Sequence, residues 1–341
     1  MHHPRIKGSY CEMGCRYGAI LHRHGFKVSA QPKEKLDFAL ESESEVKRIF
    51  PEILDEIRGF AEGCHASYQD MASFMMTIGA FKPQPMCSSF AAFNGSDVIF
   101  GRNYDFFYSF KKYTESYLTA PQDAFISLGH SDVFIGREDG INENGLAIAM
   151  TGVCEKKVKP GISFVLAVRL VLDKCANVKE AAKSLLNMHA SADANFLLAD
   201  KAGDMAVAEV SPDKVMIRKP KNDENFIVCT NHFVLPEMQQ YEDLERRSRE
   251  NWDTIPRYDA ISEGVRRAGS KMNFEKAQRI MSDHTGWVCS HQDNKKLGTL
   301  WSITAGLKNL EVFRAEGNPC RTKYREDPRL KREAQKQKRK S

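Results

Sequence analysis

Residues 82–85, Lys82-Pro83-Gln84-Pro85, divide this chain into two stretches of opposite texture. Upstream, 9–79 reads as largely helical: Ser9-Tyr10-Cys11-Glu12 has the form of a capping box, and apolar residues recur at helical spacing through Val46, Phe50, Ile53, Ile57 and Phe60. Pro51 suits the first turn of a new helix, so the periodicity bridges a kink there. Downstream the pattern turns to strands, at 89–93 and 98–104 around an Asn94-Gly95-Ser96-Asp97 turn, then at 116–120, 124–128, 133–137 and 146–151. Helices are expected at 164–174 and 178–188, strands at 195–199, 205–210, 215–218 and 226–229, a helical block over 238–281, and strands at 300–304 and 310–314. Strands in runs and helices in runs predict a layered α+β fold instead of βαβ alternation. The sequence holds no repeat, no GxGxxG and no P-loop.

At 341 residues and 42% apolar content, the chain is long enough for two domains or one large sandwich. The net charge of +5 is a property of its end. From Arg321 onward there are ten Lys/Arg against three Asp/Glu, and the rest of the chain is slightly acidic. The expectation is a basic, disordered tail over 321–341, and Lys331-Arg332, Lys336 and Lys338-Arg339-Lys340 leave open a contact with nucleic acid or an anionic surface. Polar and charged residues follow Pro4, Arg5 and Lys7 where an export signal needs an apolar run, and the apolar stretch 162–172 is too short to span a bilayer. These features predict a soluble, cytoplasmic protein. Nine cysteines without framework spacing then read as reduced and mostly buried.

One cysteine stands apart. Cys87 enters the strand-like run Met86-Cys87-Ser88-Ser89-Phe90, and fifteen residues later comes Arg102-Asn103-Tyr104-Asp105. A cysteine attacks as thiolate, and an ordinary thiol pKa near 8.5 leaves a minority ionised at neutral pH. It needs a base. A nucleophile that is itself a chain terminus has one in its own α-amino group, which titrates at about 7.7–8.0. No histidine is then required, and none of the ten lies in a papain-like or caspase-like signature.

Cys87-Ser88-Ser89 followed by Arg102-x-x-Asp105 resembles the N-terminal nucleophile (Ntn) hydrolases, and within them the acyl-coenzyme A:6-aminopenicillanic acid acyltransferase-like branch, related to penicillin V acylases and bile salt hydrolases. Further support comes from Gly8-Ser9-Tyr10 with Gly14 and Gly18, 195–200, Thr230-Asn231-His232, Leu300-Trp301-Ser302 and Gly317-Asn318-Pro319-Cys320, so the resemblance runs from 8 to about 320. It implies a four-layer αββα sandwich: a helical N-terminal segment or propeptide over 1–86, a catalytic domain over 87–320, and self-cleavage between Met86 and Cys87 that leaves the two chains packed together. It also implies roles. Asp105 accepts hydrogen bonds from the liberated α-amino group, Arg102 favours the thiolate, Asn231 donates to the oxyanion, and Arg257 braces the site with Thr254 in place of a serine. Thr151-Gly152 stands where bile salt hydrolases carry a second asparagine, so a backbone N–H must serve there. The implied substrate is a small-molecule acyl amide or thioester, with acyl-coenzyme A as one form and no bound cofactor. Phe106, Phe107 and Tyr108, with Phe110, suggest an apolar or aromatic acyl group, although core packing explains them equally.

No metal is assigned. Cys11, Cys15, His22 and His24 offer four ligand types, but a helix places 11, 15 and 22 on one face, which describes core packing as well; His284, Cys289 and His291 are a weaker set. Two other readings stay open: an uncleaved or non-catalytic relative of the same fold, and a binder of nucleic acid or an anionic surface acting through the tail.

Overall fold

The computed structural model describes residues 1–81, 86–221, 224–250 and 252–339. The breaker cluster 82–85 lies outside them. The N-terminal part forms strand β1 (Arg5–Gly8) and helices α1 (Tyr10–Arg23), α2 (Lys33–Ile49), α3 (Pro51–Gly63) and α4 (Tyr68–Met76). Ser9 caps α1 in the reciprocal arrangement its sequence predicts, Oγ accepting from Glu12 N while Glu12 Oε2 accepts from Ser9 N, and Pro51 opens α3.

Then come β2 (Met86–Phe93), β3 (Val98–Phe107), β4 (Glu115–Pro121), β5 (Ser127–Ser131), β6 (Asp139–Asn142), β7 (Leu146–Gly152), α5 (Phe164–Lys174), α6 (Val178–Leu186), β8 (Ala194–Asp200), β9 (Met205–Val210), β10 (Val215–Arg218) and β11 (Phe226–Cys229). The chain ends with α7 (Pro236–Gln239), α8 (Leu244–Glu250), α9 (Thr254–Ala268), α10 (Phe274–Ser282), β12 (His291–Gln292), β13 (Leu297–Gly306), β14 (Glu311–Ala315), β15 (Arg325–Glu326) and α11 (Arg329–Lys338).

Among the described residues, one sheet has eight strands in the order β1-β4-β5-β6-β7-β8-β9-β10; the other runs β11-β2-β3-β13-β14-β15, with β12 also on β13. Apolar residues of both inner faces, such as Phe100, Leu128, Ala147, Leu197 and Trp301, fill the space between the sheets. The outer face of the first sheet packs on α1–α6 through Ile148, Phe196, Phe60 and Val168, and that of the second on α9 and α10 through Phe90, Val228, Ile261 and Met281. This is the αββα sandwich, with α1–α4 built into one of its helical layers.

Helices α1 and α3 touch backbone to backbone. A Cβ added at Gly14 would lie 2.1 Å from Glu56 O, at Gly18 2.4 Å from Phe60 O, and at Gly59 2.1 Å from Cys11 O. The α1 face turned inward is Tyr10, Met13, Gly14, Tyr17 and Gly18, while Cys11 and Cys15 point to solvent. Under this pair lies a buried ionic cluster: Arg169 of α5 holds Glu56 of α3 at 2.8 Å and Asp173 at 3.1 Å, and Tyr10 donates to Asp173.

Three expectations need correction. Residues 133–137 are a loop, not a strand, because the buried Arg137 guanidinium folds back onto the carbonyls of Phe134, Ile135 and Gly136 and lies 3.6 Å over the Tyr117 ring. Those carbonyls are not offered to a neighbouring strand, and the next ladder strand begins at Asp139. Among the described residues the block 238–281 divides into the separate helices α7–α10, with Asp253 at a φ of 46° just before α9. The expected disordered tail is folded through 325–338: Leu330 and Ala334 are buried, and Asp327 is clamped between Arg314 and Arg329. Its apolar residues recur four apart among the charges, which gives the basic helix one buried stripe. No helix of the described residues is long and apolar enough to cross a membrane.

Candidate active site

The hairpin of β2 and β3 turns at Asn94-Gly95, where Asn94 Oδ1 accepts from Ser96 N and Asp97 N and Gly95 takes a φ of 95°. Its register pairs Met86 with Asp105, Cys87 with Tyr104 and Ser89 with Arg102. Side chains alternate along strands, so Cys87 and Arg102 share the face toward the other sheet, and Asp105 takes the opposite face with Ser88. The nucleophile candidate and its carboxylate therefore flank the Met86–Cys87 peptide from two sides. That peptide sits at the start of β2, within the ladder.

On the inner face, Arg102 reaches Cys87 Sγ at 3.3 Å and Met150 O at 2.5 Å. Its Nε lies 2.7 Å from Asp139 Oδ2, a close charge contact without a well-aligned N–H···O line. Asp139 is also held by His130 at 2.7 Å and by Trp301 Nε1 at 3.0 Å. Burial would push the Asp139 carboxyl up, but His130 and Arg102 together hold it below its ordinary value. Burial wins at Cys87, whose thiol is pushed up to about 12 against the pull of Arg102. Cys87 thus carries a thiol, fully shielded from solvent.

On the outer face, Asp105 Oδ1 accepts from Thr299 Oγ1 at 2.6 Å, while Oδ2 is buried with no hydrogen-bond partner among the described residues. Burial raises the Asp105 carboxyl to about 6, opposed by Arg257, Thr299 and Arg102. A bulge in β13 makes this possible. Thr299 pairs with Asp105 and Trp301 with Tyr104, so two residues that would share a face in a regular strand point to opposite ones. Trp301 stacks on Tyr104 at 3.8 Å while Thr299 serves the carboxylate.

Asn231 follows β11, and its Oδ1 accepts from Cys87 N at 2.8 Å and from Arg257 at 2.9 Å. Two donors on one atom fix it as the oxygen, which leaves Nδ2 to donate to Gly152 O at 2.7 Å. Arg257, on the first turn of α9, also donates to Cys87 O at 2.5 Å and Ser88 Oγ at 2.9 Å. Thr254 keeps the hydroxyl of the residue it replaces and joins Thr230 and His232 at 3.0 and 2.9 Å, tying α9 to the Asn231 segment. Asn195 and Thr151 complete the frame by donating to Thr230 O at 3.0 and 2.7 Å.

The structure brings Cys87, Arg102, Asp105, Asn231 and Arg257 around one peptide bond. Phe106, Phe107 and Phe110 line a cavity of about 760 Å³ that reaches Tyr104 and Glu138 and is lined as well by Phe26, Val28, Met71 and Phe74 of the N-terminal segment. Tyr108 is not in that lining; its hydroxyl lies over Gly298. Sequence reasoning missed Asp139, His130 and Thr299, because nothing local marks a strand aspartate or a bulge-flanking threonine. Cys11, Cys15, His22 and His24 do not converge, whereas His284, Cys289, His291 and Cys320 do.

A family model described as acyl-coenzyme A:6-aminopenicillanic acid acyl-transferase matches residues 92–321, about two thirds of the chain. The chain belongs to that family. The matched acyl-transferase region contains Arg102, Asp105, Asn231 and Arg257 and begins five residues after Cys87, so the placement of Cys87 rests on the hairpin geometry. No curated protein sequence matches the chain. Solved structures similar to this family member include penicillin V acylase from Agrobacterium tumefaciens (18% identity, 67% of this chain and 83% of that one, TM-score 0.47). Another is the Caenorhabditis elegans ortholog of N-acylethanolamine-hydrolyzing acid amidase (16%, 65% and 93%, 0.49). A third is a point mutant of the conjugated bile acid hydrolase from Clostridium perfringens (14%, 71% and 96%, 0.48).

Proposed function

We propose that Cys87 is the nucleophile of a self-activating amidohydrolase or acyltransferase, made as one chain that splits between Met86 and Cys87. The observation that carries this reading is Asp105, opposite Met86 in the ladder, whose Oδ2 is a buried acceptor with no donor among the described residues. A buried acceptor left without a donor costs about 1–3 kcal/mol or more. Cleavage at that peptide creates an α-ammonium group at the start of β2, a donor for Asp105 Oδ2.

In the self-cleavage step, Sγ adds to the Met86 carbonyl carbon and the thiol proton ends on the leaving nitrogen. The C–N bond breaks, and a thioester links Met86 to Sγ. Water then hydrolyses it to a Met86 carboxylate and a Cys87 thiol with a free α-amino group. That amine takes the thiol proton in the mature enzyme. Attack on a substrate carbonyl breaks its C–N or C–S bond, releases the amine or thiol with the proton held by the α-amino group, and leaves an acyl-enzyme, with Asn231 and a backbone N–H holding the oxyanion and Arg257 bracing Asn231. Water as acceptor gives amide hydrolysis, and an amine gives acyl transfer; an acyl-coenzyme A thioester fits the same step. The aromatic cavity beside Tyr104 suits an apolar or aromatic acyl group, and because the N-terminal segment supplies one wall, the cleaved chain stays part of the enzyme.

The test is the denatured intact mass of wild type beside Cys87→Ala. Two fragments divided between Met86 and Cys87 in wild type, held together under native conditions, and one uncut chain in the variant are expected. A single full-length mass in both proteins removes the α-amino base and this mechanism with it.

A further inference from the structure

Where the second sheet's edge meets the loop after α10, four side chains converge that the proposed chemistry does not use. The ligand atoms of His284, Cys289, His291 and Cys320 all lie within 4.8 Å of one another. Cys320 Sγ is 3.0 Å from His291 Nε2, Cys289 Sγ is 3.5 Å from the same nitrogen, and the two histidine rings meet edge to face at 5.4 Å. Donors of a tetrahedral zinc site, at about 2.0–2.3 Å from the ion, stand roughly 3.3–3.8 Å apart. The separations of the four donors, from 3.0 Å to no more than 4.8 Å, bracket that range.

Hydrogen bonds fasten the segments that hold them. Cys289 N donates to Asp283 O at 2.7 Å, and His291 is fixed opposite Gly298 in the β12–β13 ladder. The turn that carries Cys320 is fastened by Asn318 Nδ2 donating to Ser290 O at 2.8 Å. Gly286, with a φ of 61°, lets the loop pass Pro256, where a Cβ would come within 2.2 Å of the carbonyl oxygen. Three of the ligands lie within eight residues and the fourth arrives from a separate turn, so a bound ion would cross-link two segments.

We propose that His284, Cys289, His291 and Cys320 form a structural zinc site. Two thiolates and two neutral imidazoles are a borderline-soft donor set that favours Zn²⁺ in closed four-coordinate geometry. Two thiol protons leave to solvent on binding, and the ion's double charge is balanced by the two thiolates. With His291 ligating through Nε2, the proton of that ring sits on Nδ1. The site lies beside the catalytic carboxylate by a short chain: Ser290, next to Cys289, is bonded to Thr299 through both its N–H and its carbonyl, and Thr299 Oγ1 donates to Asp105. The ion would hold in place the strand segment that orients Asp105.

The test uses the full-length Cys87→Ala protein, which separates the outcome from self-cleavage, expressed with zinc in the medium and measured by plasma mass spectrometry for metals. About one zinc per chain is expected, falling at least tenfold in Cys289→Ser/Cys320→Ser and clearly in His284→Ala, an exposed position whose loss leaves the fold intact. Stripped protein reloaded with Co²⁺ should show thiolate-to-cobalt charge transfer that both variants lack. Metal-free protein with no cobalt–thiolate spectrum overturns the proposal. So does a Cys289–Cys320 disulfide in freshly purified protein, seen as a mass short of two hydrogens before reduction.

Discussion

At the scale of the residue, the candidate site turns on Asp105, buried in β3 opposite Met86. Its carboxyl titrates near 6 because burial outweighs Arg257, Thr299 and Arg102. In the uncut chain the native state keeps this proton between about pH 4 and 6, where the unfolded chain has lost it, so native stability falls as pH rises through that window and then levels off. A shift of about two pKa units corresponds to about 2–3 kcal/mol. Replacing the group in the uncut background should recover it: Cys87→Ala/Asp105→Asn is expected to be more stable to urea than Cys87→Ala by about that amount at pH 8. The difference should vanish below pH 4. Equal stability of the two proteins at pH 8 would mean that Asp105 carries no strain for cleavage to relieve. The sequence names Asp105 through its spacing from Cys87, but says nothing of Thr299, because the contact between them is made by a bulge 194 residues away. Local patterns reach a residue's own strand and not the irregularity of its neighbour.

Among elements, the α1–α3 pair shows how backbone contact reverses an ordinary rule. Gly59 lies inside α3, where exposed glycine costs about 1 kcal/mol relative to alanine, so propensity alone predicts that Gly59→Ala stabilises. The added Cβ would stand 2.1 Å from Cys11 O, a backbone atom that cannot move without shifting α1. Overpacking of that kind costs about 1–3 kcal/mol, so net destabilisation of Gly59→Ala is expected in urea unfolding of the uncut chain. A gain in stability would show that the helices separate freely. Gly14 and Gly18 were visible in the sequence as part of a family pattern, yet their physical reason needed Gly59 and Gly63 opposite them. The helices and strands themselves were largely legible, since burial on one face imposes a period of 3.6 or 2 on the sequence. The 133–137 loop was not, because its apolar residues mimic a strand while Arg137 takes up the carbonyls that a strand would share.

At the scale of the whole molecule, the basic end changes character from a charge reservoir to a fastening. Charge counting marks 321–341 as solvated, but Leu330 joins the core between the sheets and Arg329 donates to the Ser116 carbonyl of β4, in the other sheet. Lys331 lies 3.8 Å from Glu311, Lys336 lies 3.8 Å from Glu333, and Glu333 also pairs with Lys7 of β1. Asp327 is the centre of this fastening. Burial alone would raise its carboxyl, but Arg329 and Arg314 hold it far below the ordinary carboxylate range. The unfolded chain therefore binds a proton that the native state refuses, and the stability Asp327 supplies is present above about pH 4 and lost as pH falls toward the native value. Asp327→Asn leaves two buried guanidinium groups facing a neutral amide, and breaking a buried ionic contact in this way costs about 3–5 kcal/mol. In the Cys87→Ala background the variant should unfold at clearly lower urea at pH 7, and acidification should narrow the gap as wild-type Asp327 takes up its proton. The same loss at pH 7 and pH 3 would point to packing instead of charge, and no loss at all would return the segment to the solvated tail that its composition suggests.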